Sequence, residues 1–207
     1  MNRKKTALRW LLLALTLLLT ANCVFDFCYV LPFQALRHTE ERRGTGRTDT
    51  VYSRVDDRSL ITLTANENAV IFDQIYPTLV GWTDSAEVLD CTARVPLHGG
   101  WQIVGRDARP QIPYAFGRVD DPDIVEVRFS FRFSLRAEGD PWTVGPTEDY
   151  VFSTYRADWL EQEGRAYFIL RLGPMGNGYN RGVFENMTLT ALNSAGEVVA
   201  RIGGADE

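Results

Sequence analysis

The stretch that decides the fold is Ile124 to Arg136, IVEVRFSFRFSLR. Val125, Val127, Phe129, Phe131, Phe133 and Leu135 alternate with Glu126, Arg128, Ser130, Arg132, Ser134 and Arg136. A period of two over this length predicts a β-strand with one buried and one wet face. At a rise of roughly 3.3 Å per residue it is about 40 Å long, enough to span a whole sheet or bend between two. The rest of the chain is expected to cover its apolar side.

Short β signals separated by turn residues flank it. TVYSRV (50–55), SLITLT (59–64) and AVIFDQI (69–75) precede Pro77 and TLVGW (78–82). EVLDCTARVPL (87–97) places Leu89, Cys91, Ala93 and Val95 on one side, so Cys91 is expected in the core. Gly99-Gly100 reads as a hairpin turn into WQIVGR (101–106). Asp120-Asp121-Pro122-Asp123 launches the long strand and Glu138-Gly139-Asp140-Pro141 ends it. Tyr150–Tyr155 and Ala166–Leu172 are further strands, with ADWLEQ (157–162) as the one helix-like stretch of the body. A closing hairpin pairs 185–192 with 197–202, and Gly196 is placed for a left-handed turn conformation. Nine or ten short strands and almost no helix predict an all-β, antiparallel, immunoglobulin-like or jelly-roll-like β-sandwich over residues 50–207.

The N-terminus is of a different kind. Arg3, Lys4, Lys5 and Arg9 accompany an apolar run that continues, counted from Ala7 to Leu31, for 25 residues with Asp26 inside it. A bilayer span needs roughly 20 residues, whereas the apolar core of a cleaved signal peptide has about 7–15. Length therefore favours an uncleaved transmembrane signal anchor over residues 1–36. A cleaved signal and a lipoprotein leader ending before Cys23 are the alternatives; Asn22 and the apolar residues after Cys23 depart from the lipoprotein pattern. The basic cluster abutting the span predicts a cytoplasmic N-terminus and an extracytoplasmic body. Thr39–Asp49, TEERRGTGRTD, reads as a solvated linker within residues 37–49.

Charge divides at the same place. Residues 1–36 hold four basic side chains against one acid, a net +3; residues 37–207 hold eighteen arginines against twenty-six acids, a net −8. An acidic body argues against general nucleic-acid binding, which needs a positive surface. Cys91 is the only cysteine of the body, so no disulfide forms within it.

Motifs for chemistry are sparse. GPMGNGYNRG (173–182) is the best binding-loop candidate, with Tyr179 as a stacking face, Arg181 for an anion and Asn177 two residues before Tyr179. It lacks the strand–loop–helix setting of a phosphate-binding loop. Asp120, Asp121 and Asp123 carry oxygen ligands but not the spacing of a calcium loop, so turn chemistry is the simpler reading. His98 has no second histidine in the body except His38 at its margin, which makes a poor metal site. No nucleophile motif, no marked carboxylate pair and no cofactor motif is present, and the body is read as non-catalytic. Arg128, Arg132 and Arg136 form a polar stripe that becomes a binding surface if aromatics such as Trp101 or Tyr150 join it. The expected partners are the membrane, through the N-terminal helix, and an envelope protein.

PYAFGRVDDPDIVEVRFSF (113–131) and MTLTALNSAGEVVARI (187–202) resemble stretches in small, membrane-anchored or secreted proteins of Gram-positive bacteria. There a G-x-V-x-D-P-x-I-x-x-V segment opens a long strand; Gly117, Val119, Asp121, Pro122, Ile124 and Val127 fit it. Ala191, Asn193, Gly196 and Val198 fit the final hairpin, with Asn where Asp is usual. The resemblance implies an envelope location and supplies no active site.

Overall fold

The computed structural model describes residues 3–24, 29, 31–56, 58–78, 81–105, 111–136, 144–175 and 182–204, with α1 side chains described for 5–18 and 20. The decisive stretch is a single strand with the expected bounds, β7 (Ile124–Arg136). It lies inside a sheet ordered β12-β11-β7-β8, where β8 is Val144–Tyr155, β11 Gly182–Asn193 and β12 Val198–Gly203. Val127, Phe129, Phe131 and Phe133 are buried, while Arg128 and Arg132 are exposed, as the alternation requires. Near the C-terminal end a register break at Leu135 exchanges the faces: Ser134 is buried and Leu135 is exposed.

Two further sheets complete the body. One is a meander of β1 (Asp49–Asp56), β2 (Ser59–Ala65), β3 (Ala69–Pro77) and β4 (Trp82–Asp90). The other has the order β5-β6-β10-β9, from Leu97–Val104, Ile112–Val119, Arg165–Arg171 and Leu160–Gln162 respectively. All pairings between these strands are antiparallel.

The all-β antiparallel expectation therefore holds, but three four-stranded sheets stand where a sandwich has two. The reason lies in β6, IPYAFGRV, whose eight residues are all buried. Tyr114 and Phe116 pack with Ile61, Leu63, Val70 and Phe72 of the meander in one core. Ala115 and Val119 pack with Phe129, Phe131 and Leu189 in the other. A strand apolar on both faces belongs to a middle layer.

Gly99 and Gly100 sit inside β5 rather than in a turn. A Cβ on Gly99 would lie 2.7 Å from Leu189 Cδ1, and one on Gly100 2.9 Å from Leu89 Cδ2. The glycines thin the middle sheet so that leucines of both outer sheets reach it. The helix expected at 157–162 is absent; Arg156–Asp158 forms one 3-10 turn and Leu160–Gln162 is β9.

The segment expected as a linker is a packed part of the body. Helix α2 (Pro32–Arg43) starts with Pro at its first turn, caps Leu31 N–H with Gln34 Oε1 at 3.0 Å and stops at Gly44, φ 66°. Ala35 and Leu36 pack on Ile75 of β3, and Thr39 and Glu40 are buried. Burial alone would raise the Glu40 pKa, but hydrogen bonds from Thr48 and Arg37 outweigh it and hold the carboxyl below its ordinary value.

Helix α1 is Arg3–Val24. Among its described side chains the leucines and Trp10 are exposed, from 52% at Leu18 to 67% at Trp10. Among the described residues no helix is long and apolar enough to cross a membrane.

Candidate functional site

The turns at one end of the stack gather around a cleft of about 650 Å³. It is lined by the β2–β3 turn (Glu67, Asn68), the loop from Cys91 to Pro96, the end of β6 (Arg118), the Asp120-Asp121-Pro122 turn and Arg165. Side-chain bonds to the backbone hold its walls. Asn66 Oδ1 accepts from the N–H groups of Asn68 and Ala69, both at 2.9 Å, and closes the first turn. Asp121 Oδ1 accepts from Asp123 N–H at 2.9 Å, while Asp120 and Asp121 N–H donate to Pro96 O at 3.0 and 3.3 Å. Asp121 is thus used as a turn-former. Among the described residues no group of three or more His, Cys, Asp or Glu could hold a metal ion.

Arg118 organises the base of the cleft. It is 4% exposed, and its guanidinium reaches three separate segments: Glu67 O at 2.8 Å, Cys91 O at 3.1 Å and Asp120 Oδ2 at 2.7 Å. Its Nε has no hydrogen-bond partner. Burial disfavours the cation, but the Asp120 carboxylate more than compensates and raises the Arg118 pKa further. His98, opposite Arg118 in the β5–β6 register, places Nε2 3.3 Å from the same Asp120 oxygen without a hydrogen-bonding geometry. Arg165 lies 3.7 Å from Glu67 at the exposed rim. Three arginines and three acids therefore face one opening.

Cys91 is buried as expected, but not by strand phase: β4 ends at Asp90, Ala93 and Val95 of the predicted apolar side are exposed in the following loop, and Cys91 Sγ lies 3.7 Å from Leu89 O. Burial pushes its thiol up to about 11, so it carries no thiolate at neutral pH. The cleft sets charged groups of both signs beside Ala93, Val95, Pro96 and Pro122.

The sequence candidates fare unequally. Asn177, Tyr179 and Arg181 lie outside the described residues. The feet of their loop are tied to Gln111: Met175 N donates to Gln111 O at 2.7 Å, and Gly182 N donates to Gln111 Oε1 at 3.0 Å. The arginine stripe is a solvated face, with Arg128 on Glu126 and Arg132 on Asp149, both at 3.0 Å. Trp101 and Tyr150 do not join it; half-buried, they stack on Phe129 and Phe131 at the margin of the core. Arg118 was not singled out from the sequence. Its signal is a lone charge within the apolar run PYAFGRV.

No family model, no curated protein and no solved structure matches the chain. The segments resembling Gram-positive envelope proteins form the β6–turn–β7 unit and the final hairpin, where Gly117, Asp121 and Gly196 serve backbone approach and turn geometry.

Proposed function

We propose that the chain is a membrane-anchored, extracytoplasmic interaction module of the bacterial cell envelope, which holds a polar, mixed-charge segment of a partner protein in the Asp120 cleft. The observation that carries this reading is the cleft itself. Its base is a buried arginine that fastens three segments together, and its rim presents Arg94, Arg165, Glu67 and Asp121. A rigid floor under a charged rim is suited to steering and register more than to chemistry. The anchor rests on the apolar sequence from Ala7 to Leu31 and the basic residues around its start. The leucines of α1 form no one-sided stripe, as a helix packed on a protein core would have.

The test is crosslinking on intact membranes followed by recovery of the full-length chain. Reversal of Arg94 and Arg165 to Glu abolishes recovery of the partner, while reversal of Arg132 on the far sheet leaves it intact. Equal recovery by all three variants refutes the cleft. Release of the chain from membranes by alkaline carbonate refutes the anchor. A second reading, a small-ligand-binding domain, is favoured by the unpartnered Nε of Arg118 at the cleft base. It replaces the loop at 173–182 as the ligand site, and it requires a thermal shift on binding that Asp120→Asn removes.

A further inference from the structure

At the end of the stack that holds the Asp120 cleft, one edge strand from each sheet borders a second groove, of about 580 Å³. The strands are β4 of the meander, β5 of the middle sheet and β12 of the outer sheet. Val95 and Pro96 are the residues this groove shares with the Asp120 cleft. Leu97, His98 and Gly99 of β5 line its middle, between Leu89 on the meander side and Ala200 and Ile202 on the outer-sheet side.

Backbone phase decides what the groove offers. In an antiparallel ladder alternate residues turn both N–H and C=O to the same neighbour. Leu172 N–H donates to Pro113 O at 3.0 Å, so Pro113, Ala115 and Gly117 of β6 face β10, and Tyr114, Phe116 and Arg118 face β5. The β5 partners of that second set are Gln102, Gly100 and His98, which leaves Leu97 and Gly99 with their backbone groups turned outward. Cys91 N–H on Asn68 O, at 2.8 Å, turns Val88 and Asp90 of β4 outward by the same alternation. Gly204 N–H on Met187 O, at 3.1 Å, turns Arg201 of β12 outward. None of these outward residues has a backbone hydrogen-bond partner on that side among the described residues. Further along β5 the edge is shut. Gln102 Nε2 donates to Ser85 O at 3.1 Å, and the Trp101 ring lies against Gly203, where an added Cβ would stand 2.6 Å from it.

We propose that the groove takes a short extended segment of another protein, which pairs with Leu97 and Gly99 of β5 and adds a strand to the middle sheet. Strand addition draws affinity from edge donors and acceptors and selectivity from the walls that meet the side chains. Gly99 has no side chain to hold an incoming backbone away. The added strand lies between Leu89 and Ile202, so both of its faces meet apolar walls. The segment it selects is therefore a continuous run of small, β-branched apolar residues and not an alternating one. A second copy of this chain fits poorly: its long free edges, β1 and β8, carry Arg54 and Asp56, and Glu148 and Asp149. The inference stands independently of the reading of the Asp120 cleft.

The experiment titrates the full-length chain in detergent into a fluorescein-labelled peptide, a short run of valines flanked by threonines, and reads anisotropy. The same peptide N-methylated on its valines keeps the side chains but loses the donors, and binds at least about tenfold more weakly. Hydrogen-exchange mass spectrometry shows slowed exchange at Leu97 and Gly99 when the unmethylated peptide is bound. Arg201→Pro, which removes the outward N–H of β12 and no ladder bond, binds as the parent does. Equal binding of the two peptides, or no binding of either, overturns the proposal. Loss of binding in Arg201→Pro moves the strand to β12 and overturns the pairing with β5. Protection of Leu97 and Gly99 that rises with protein concentration in the absence of peptide makes the occupant a second copy, and equally overturns it.

Discussion

Replacing Gly117 by alanine tests whether the middle sheet is as closely packed as described. Gly117 lies in β6 opposite Gly99 of β5. A Cβ there would stand 2.0 Å from His98 O, 2.8 Å from Phe168 Cε1 and 2.9 Å from Gly99 Cα. An ordinary carbon–oxygen approach is about 3.3 Å or more, so the methyl must push the β5 backbone away by over an ångström. Adding a methylene where side chains can yield costs about 1–3 kcal/mol. Here two of the three obstacles are backbone atoms of a paired strand, so the loss should be about 3–5 kcal/mol. That is a large share of a total stability of about 5–15 kcal/mol. Gly196→Ala is the matched control: its φ is 78°, and nothing lies within 4 Å of the added carbon. It costs only the left-handed backbone penalty, about 1–2 kcal/mol. Urea unfolding of both variants, followed by tryptophan fluorescence, gives the two numbers. If Gly117→Ala loses no more than Gly196→Ala, with an unchanged denaturant slope, the sheets are not as close as claimed.

Asp56 joins the meander to the middle sheet through Arg171, at 3.1 Å from Nη2, and accepts from the Tyr114 hydroxyl at 2.6 Å. The Arg171 hydrogen bond, opposed by burial and helped by Tyr114, keeps the Asp56 pKa low. Its contribution is therefore complete above the unfolded value of about 3.9 and is lost as pH falls through the lower folded value. Asp56→Ala should cost about 2–3 kcal/mol at neutral pH and less in acid, measured by urea titration at both. Asp73 has the opposite sign: stability should fall as pH rises from about 4 to about 8, and Asp73→Asn should flatten that slope. Leu189→Ala removes the side chain that fills the space above Gly99 and should cost about 3–5 kcal/mol. Arg132→Ala, on an ion pair exposed on both sides, should change stability by under about 1 kcal/mol.

The outer sheet was legible because one of its faces meets water. Phe129, Phe131 and Phe133 against Arg128 and Arg132 leave only one orientation for β7. The same logic fails for β6, where Tyr114, Ala115, Phe116 and Val119 carry no alternation because both sides are buried. A strand without a polar face announces no sheet, and so the third layer went unread. Gly99-Gly100 misled for a related reason: glycine serves turns and close approach equally, and only the positions of Leu89 and Leu189 decide between them. Helix α2 was hidden because its apolar contacts are few, Ala35 and Leu36, and the rest of its buried surface is Thr39 and Glu40. Arg118 in the cleft and the buried Asp73 had the same available signal, a solitary charge inside an otherwise apolar strand.

The layering also says where recognition can occur. The middle sheet has no free face, and the outer face of the meander is occupied by α2. The remaining broad surface is the arginine side of the outer sheet, whose charges are paired with Glu126 and Asp149. Specific binding is thereby displaced to the ends of the stack, where turns from different layers meet. Arg118 stands where β6 leaves the middle sheet, and it reaches the β2–β3 turn, the Cys91 loop and the Asp120 turn from there. A buried charge in a middle sheet is tolerable only at such an end, because only there do carbonyls of several loops converge to solvate it. The residue that makes the end rigid is therefore also the one that makes it polar. Charge reversals at Arg94 and Arg165 should alter binding without altering the melting temperature, since both stand on this floor and do not build it.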